Sequence, residues 1–241
     1  MNEPLKHKIE ELERLLVRVA LEHSPAALAS SLSAEDMVIT DAILRDKLDI
    51  EIFTLDTERL HADTLNVIAA IRKRYGYDVR VLRPDPEAVA RYVADFGRDA
   101  FYESVELRKR CCHIRKVEPL ARALKGKEAW ITGQRRDQAV TRSELKVQEY
   151  DAARAKVKFN PLADWSGDEV WTYIRAFDVP YNALHDQGYR SIGCAPCTRP
   201  TVAGEDVRAG RWWWEQPDAR ECGLHVEPDG RLARSKTEVP A

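Results

Sequence analysis

Residues 26–44, Ala-Ala-Leu-Ala-Ser-Ser-Leu-Ser-Ala-Glu-Asp-Met-Val-Ile-Thr-Asp-Ala-Ile-Leu, change their period part-way along. Ala26 to Ser31 is an apolar run of strand length. Ser31-Leu-Ser-Ala-Glu-Asp36 is polar, and Met37, Val38, Ala42, Ile43 and Leu44 then recur at helical spacing. The stretch reads as strand, loop, helix.

The same alternation continues on both sides. Ile50 to Leu55 makes a second strand, followed by Asp56-Thr57 and a helix from about Arg59 to Tyr75. Val79 to Leu82 makes a third, with a helix after Pro86, and Ala129 to Thr132 a fourth, after a helix from about His113 to Lys125. Upstream, Leu12, Leu15, Leu16 and Val19 recur with charges between them, which predicts an amphipathic helix over residues 5–22. Strands alternating with helices argue for an α/β fold, a doubly wound, mostly parallel sheet. Ligands of such sheets sit beyond the carboxyl ends of the strands, near the switch in strand order. Three polar loops lie at those ends: 31–36, 56–59 and 133–137. Beyond residue 160, Pro161, Pro180, Pro196 and Pro200 and the triplet Trp212-Trp213-Trp214 leave little strand signal, so helices and loops are expected to wrap the sheet.

One domain is expected in 241 residues. It divides into an N-terminal helix (1–25), an α/β nucleotide-binding core (26–160), a helical segment (161–205) and a C-terminal lid or tail (206–241). Lys and Arg number 38 against 40 Asp and Glu, so no general nucleic-acid or membrane field is implied and an anionic ligand must be bound locally. Glu10, Glu11 and Glu13 argue against a targeting peptide at the N-terminus, and no apolar run of about 18 residues exists. The expected location is the cytoplasm, where thiols stay reduced.

Four of the five cysteines form two tight pairs, Cys111-Cys112 and Cys194-Ala-Pro-Cys197, and Cys222 stands alone. Four thiolates can hold structural zinc or an iron–sulfur cluster. Adjacent side chains on a helix diverge by about 100°, which suits a cubane offering several irons better than one zinc ion, so a [4Fe–4S] cluster is favoured. Buried core thiols and disulfides are the competing readings. Ser31 to Asp36, at a strand-to-helix junction, suits phosphate or nucleotide edges but would equally serve as ordinary capping. Gly133-Gln-Arg-Arg-Asp-Gln-Ala-Val-Thr-Arg142 concentrates three arginines whose forks suit phosphate or sulfate oxygens, with a surface ion-pair cluster as the alternative. Lys116 follows Cys112 by one helical turn, and Arg208 and Arg211 share a helical face before the tryptophans, which read as an apolar lid or as cation–π partners. Glu221-Cys-Gly-Leu-His225 sets a lone thiol among groups able to lower its pKa.

Seven strings together carry a resemblance: Ser31-Leu-Ser-Ala-Glu-Asp36, Leu55-Asp-Thr-Glu-Arg-Leu60, Lys109-Arg-Cys-Cys-His-Ile-Arg-Lys116, Trp130-Ile-Thr-Gly-Gln-Arg-Arg136, Ile192-Gly-Cys-Ala-Pro-Cys-Thr198, Gly210-Arg-Trp-Trp-Trp-Glu215 and Glu221-Cys-Gly-Leu-His225. Over residues 28–225 the chain resembles the assimilatory adenosine 5′-phosphosulfate reductases of bacteria and plants, within the phosphoadenylyl-sulfate reductase family. It departs from them at Ser33-Ala34, where relatives often carry glycine, which bears on the backbone contacts of that loop. The resemblance implies an adenine nucleotide alpha-hydrolase-like fold of the PP-loop type. It implies a [4Fe–4S] cluster on Cys111, Cys112, Cys194 and Cys197, and adenosine contacts at Ser31, Ser33, Leu55, Asp56 and Gly133; Arg135 of the arginine-rich loop is a further substrate-binding candidate. It also implies phosphosulfate contacts at Lys116, Arg208, Arg211 and His225, with Cys222 as nucleophile. The reaction implied is reduction of the nucleotide to sulfite and AMP through a sulfonated cysteine, released by thioredoxin or a glutaredoxin-like dithiol, with the tail swinging between substrate and thioredoxin. The partners expected are the nucleotide and that dithiol protein, with no nucleic acid or membrane; self-association into a homo-oligomer is left open. The rival activities are reduction of the 3′-phosphorylated nucleotide, an ATP-pyrophosphatase or tRNA thiolase, whose Ser-Gly-Gly-x-Asp-Ser loop is absent here, and a non-catalytic zinc or redox-sensing module.

Overall fold

The computed structural model describes residues 2–139 and 142–216. Helix α1 (Glu3–Glu22) starts at Asn2, whose side chain accepts from the Leu5 amide, and buries Leu5, Ile9, Leu12, Leu16 and Val19 along one face. Strand β1 (Ala26–Ser30), helix α2 (Ala34–Arg45), strand β2 (Ile50–Leu55), helix α3 (Ala62–Tyr75) and strand β3 (Arg80–Leu82) follow in alternation. Helices α4 (Pro86–Phe96), α5 (Val105–Cys112) and α6 (Glu118–Ala123) then lead to β4 (Ala129–Ile131). A π turn, His113–Val117, joins α5 to α6. Beyond β4 come strands β5 (Gln148–Asp151) and β6 (Lys156–Phe159) and helix α7 (Gly167–Ala176).

The strands form one sheet in the order β3-β2-β1-β4-β6-β5, parallel except for the β5–β6 hairpin. Alternate residues of each strand feed opposite faces, as the pleat requires. Leu28, Ile50, Ile52, Ala129 and Ile131 join the large core under α1, α2, α3 and α7. Ala27, Phe53 and Trp130 join the smaller core with Leu120, Ala123 and Leu124 of the α6 region. Helices thus cover both faces. Chain growth runs outward from β1 to β3, then crosses back to place β4 on β1's other side. That reversal puts the switch point between β1 and β4, where a ligand crevice is expected.

The β5–β6 hairpin was not foreseen from the sequence. Its strands read Gln-Glu-Tyr-Asp and Lys-Val-Lys-Phe, and the inward position at 158 is a buried lysine rather than an apolar residue. The periodicity is real, but a charge occupies it. The helix expected from His113 begins earlier, at Val105, and the segment bearing Arg208 and Arg211 is a series of turns rather than a helix, with Arg211 bridged to Thr198 in antiparallel fashion. Gly210 allows that approach, because a Cβ there would lie 2.2 Å from the Arg199 carbonyl oxygen.

Candidate active site

A cavity of about 230 Å³ opens at the switch point, lined by the ends of β1, β2 and β4. The β1 loop and β4 loop are pinned together by one carboxylate. Asp36, in the first turn of α2, accepts from the Ser31 amide and hydroxyl, both at 2.6 Å, and from the Gly133 amide at 2.9 Å. Burial pushes its carboxyl up to about 6, against the pull of those three donors. Capping does not account for the polar loop, since Ser33 occupies the N-cap position of α2 and makes no side-chain cap bond.

Gly133 is required by close approach. A Cβ there would lie 2.5 Å from Asp36 Oδ1 and 2.8 Å from the Glu35 Cβ. Gly133→Ala is therefore expected to push the two loops apart, costing about 1–3 kcal/mol of stability, which thermal unfolding measures.

Ser31, Ser33, Leu55, Lys116, Gly133, Arg208 and Arg211 all line the cavity. Two other residues expected there are placed differently. Asp56 is outside the lining and accepts from the Glu58 amide at 2.9 Å and Arg83 Nε at 3.1 Å, so its carboxylate organises the β2 turn. Arg135 is also outside it, buried against Glu35 at 2.9 Å, the Trp165 carbonyl at 3.1 Å and Asp137. The guanidinium in that position braces a loop instead of facing the cavity. Arg136 is likewise paired, with Asp164, and of the three arginines only Arg142 reaches the cavity. Sequence reasoning passed over Gln134 and Gln138, which line it, because neutral amides carry no charge signal.

The cysteine pairs adjoin this cavity, and Cys194 lines it. Cys194 and Cys197 are buried with Phe101 and Trp212, and Cys111 and Trp214 pack against them. Cys112 is buried beside Cys111, where α5 gives way to the π turn. All four are free thiols, so the disulfide reading is not taken up. The β2 loop holds the second pair in place: Thr57 Oγ1 lies 3.2 Å from Cys194 Sγ, and the Ala195 amide donates to the Arg59 carbonyl at 2.7 Å. Burial pushes the Cys197 thiol up to about 12; Cys194 and Cys111 add to the rise, and Lys116 and Arg211 oppose it. Burial raises Cys111 as well, with Arg115 opposing. Among the described residues no group of three or more His, Cys, Asp or Glu could hold a single metal ion. An all-sulfur donor set with apolar walls fits a thiolate-held cluster better than an ion wanting nitrogen or oxygen ligands.

The tryptophan triplet divides. Trp212 is fully buried, with the Arg211 and Arg108 guanidinium carbons 4.5 Å and 4.7 Å from its ring centroid, while Trp213 is exposed. Arg108 of α5 is also fully buried and grips Glu215 through two bonds, Nε to Oε1 at 2.9 Å and Nη2 to Oε2 at 2.8 Å. The segment that precedes Cys222 is thereby tied to the helix that carries Cys111 and Cys112. Cys222 and His225 themselves lie outside the described residues.

Residues 25–200 match the profile of the phosphoadenosine phosphosulfate reductase domain. The chain belongs to the phosphoadenosine phosphosulfate reductase family. Within that family it is 58% identical to the adenosine 5′-phosphosulfate reductase of Burkholderia cepacia, over 92% of this chain and 89% of that one. It is 56% identical to the enzyme of the same name from Allochromatium vinosum, over 88% of this chain and 82% of its relative. Among solved structures the phosphoadenylyl-sulfate reductase of Candida auris, in a phosphate complex, superposes with a TM-score of 0.68 at 25% identity, covering 83% of this chain and 98% of that one. The mostly parallel sheet is therefore the fold of this reductase family. Among the described residues no helix is long and apolar enough to cross a membrane.

Proposed function

We propose that this chain is a thioredoxin-dependent adenylyl-sulfate reductase, which converts adenosine 5′-phosphosulfate to sulfite and AMP in sulfate assimilation. The observation that carries the reading is the shared cavity: nucleotide-type strand-end loops and the cations Lys116, Arg208 and Arg211 open onto one space beside the cysteine pairs. The high identity to two reductases of that name supports the choice of nucleotide.

The strand-end loops supply the adenosine contacts, through Ser31, Ser33, Leu55 and Gly133. The cations, with His225, hold the phosphosulfate. Cys222 thiolate attacks the sulfur of the sulfate group, the bond from that sulfur to the bridging oxygen breaks, and AMP leaves with the electron pair. Cationic screening is needed because thiolate and sulfonyl group repel each other, and it is worth several kcal/mol in a closed site. The product is Cys222 S-sulfonate. A thiolate of thioredoxin, or of a glutaredoxin-like dithiol, then attacks Cys222 Sγ; sulfite departs with the bonding electrons, and the second thiol resolves the mixed disulfide. The enzyme cysteine returns reduced and the dithiol is oxidised, so two electrons balance the change from sulfate to sulfite. When bound, a [4Fe–4S] cluster on Cys111, Cys112, Cys194 and Cys197 would tune the electrostatic field beside Lys116, and the sulfur chemistry above needs no electron from it. We place the reaction in the cytoplasm, where a reduced dithiol is available.

The test is anaerobic incubation with adenosine 5′-phosphosulfate followed by mass spectrometry. The expected result is a gain of one SO₃ on the peptide containing Cys222 and release of AMP. No adduct, or an adduct on another cysteine, overturns the mechanism. Equal or better kcat/KM with the 3′-phosphorylated nucleotide overturns the substrate.

A further inference from the structure

Behind the β4 loop lies a buried polar group that the proposed chemistry does not use. Lys158, on the inward side of β6, is buried, and its ammonium donates to Gln134 Oε1 at 2.8 Å and pairs with Glu149 Oε1 at 2.8 Å. Its charge lies 5.5 Å from the centroid of the Trp130 ring. Asn160 completes the group, accepting from the Thr132 hydroxyl at 2.7 Å and donating to Glu149 Oε1 at 3.1 Å. Thr132 Oγ1 in turn accepts from the Gln134 backbone N–H at 3.4 Å.

A lysine ammonium has only donors, so the atom of Gln134 facing it must be the amide oxygen. The NH₂ group of Gln134 is thereby turned away from Lys158. It has no partner among the described residues, and it is not among the buried atoms sealed from solvent without a bond. Gln134 lines the cavity, whereas Lys158, Glu149 and Asn160 do not. A surface glutamine would turn freely between donor and acceptor roles; this one is fixed as a donor by a charge placed behind it.

We infer that Gln134 is a substrate-binding residue whose amide NH₂ donates to an acceptor atom of the AMP portion of the nucleotide, and that Lys158 is a positioning residue that locks it in that orientation. The inference rests on the function proposed above. A buried cation two strands from the β1 loop is costly unless paired, and the paired arrangement gives the cavity one donor of fixed direction at the end of β4. Its energetic signature is coupling: Lys158 acts on the nucleotide only through Gln134.

The experiment is AMP affinity by calorimetric titration, with KM and kcat for adenosine 5′-phosphosulfate, on wild type, Gln134→Ala, Lys158→Met and the double variant. Because Lys158→Met takes the ammonium partner from the half-buried Glu149 carboxylate, the pair Lys158→Met/Glu149→Gln is made in both backgrounds as well. Gln134→Ala is expected to weaken AMP about tenfold, the loss falling on KM more than on kcat. The Lys158→Met/Glu149→Gln variant is expected to weaken AMP severalfold on its own and to add nothing once Gln134 is alanine. Gln134→Ala that stays folded and binds AMP within twofold of wild type overturns the inference, as do losses that multiply in the combined variant. Wild-type protein that does not bind AMP overturns the reading of the site itself, and with it this inference; the two failures are therefore distinct.

Discussion

Cys222→Ser is expected to reduce sulfite formation at least about 10³-fold while leaving iron content and thermal stability at wild-type levels. Serine keeps nearly the size of cysteine, but its hydroxyl is almost wholly protonated at neutral pH, whereas a thiol beside cationic groups is substantially ionised. Removal of a covalent nucleophile has no partial substitute, because the step is the formation of a bond from its own sulfur. Cys222 lies six residues beyond Gln216, the last described residue, so its tether reaches at most about 20 Å. AMP should still bind the variant, since the strand-end loops are intact. The contrast is Cys194→Ser. That change strikes a buried thiol in contact with Thr57, and it should strip iron and destabilise the site along with activity. Sulfite assays paired with iron and acid-labile sulfide determination separate the two roles. Cys222→Ser with unchanged sulfite production would remove it as the nucleophile.

The second large effect is structural. Glu215→Gln should lower stability by about 3–5 kcal/mol, because it removes the carboxylate charge that the buried Arg108 guanidinium grips through two bonds; Arg108 is wholly enclosed and Glu215 nearly so. For a chain of this size such a loss moves the midpoint of thermal unfolding down by about 10 °C. Replacing both partners together, as Arg108→Met/Glu215→Met, should recover much of it, since no isolated charge then remains buried. Activity should fall even where the protein stays folded, because Trp212 and Glu215 anchor the approach to Cys222. AMP affinity should fall less. Differential scanning calorimetry on the single and double variants gives the coupling directly. A single variant within 1 °C of wild type would show that the pair holds nothing in place.

What could be read in the sequence, and what could not, follows from physical chemistry. The strands β1, β2 and β4 were legible because parallel central strands are apolar on both faces, and the strand ends named the loops correctly. Both cysteine pairs stood out through spacing alone. By contrast, Lys158 and Arg108 look like ordinary solvated charges in sequence, since nothing local reveals that Glu149 or Glu215 meets them in the interior. Arg135 misled for the converse reason: a guanidinium near a strand end reads as an anion site until Glu35 and Asp137 are seen to occupy it. Asp56 differed because a carboxylate in a turn can serve the backbone as readily as a ligand. The Arg208–Arg211 stretch read as helix because a three-residue spacing fits a helical face, whereas the antiparallel bridge from Arg211 to Thr198 is a long-range contact that no local pattern encodes.

The strand order bears on how the protein is made. Ala26 of β1 pairs on one side with Ile50 and on the other with Ala129, so the second edge of β1 waits for about 100 residues of further chain. At 5–20 residues per second of synthesis, that edge stays open for about 5–20 s after β1 itself has emerged. An apolar strand with unmet amides is a template for a wrong neighbour. The nascent chain is most exposed to aggregation during this interval, before the ribosome has released the half of the cavity that β4 provides.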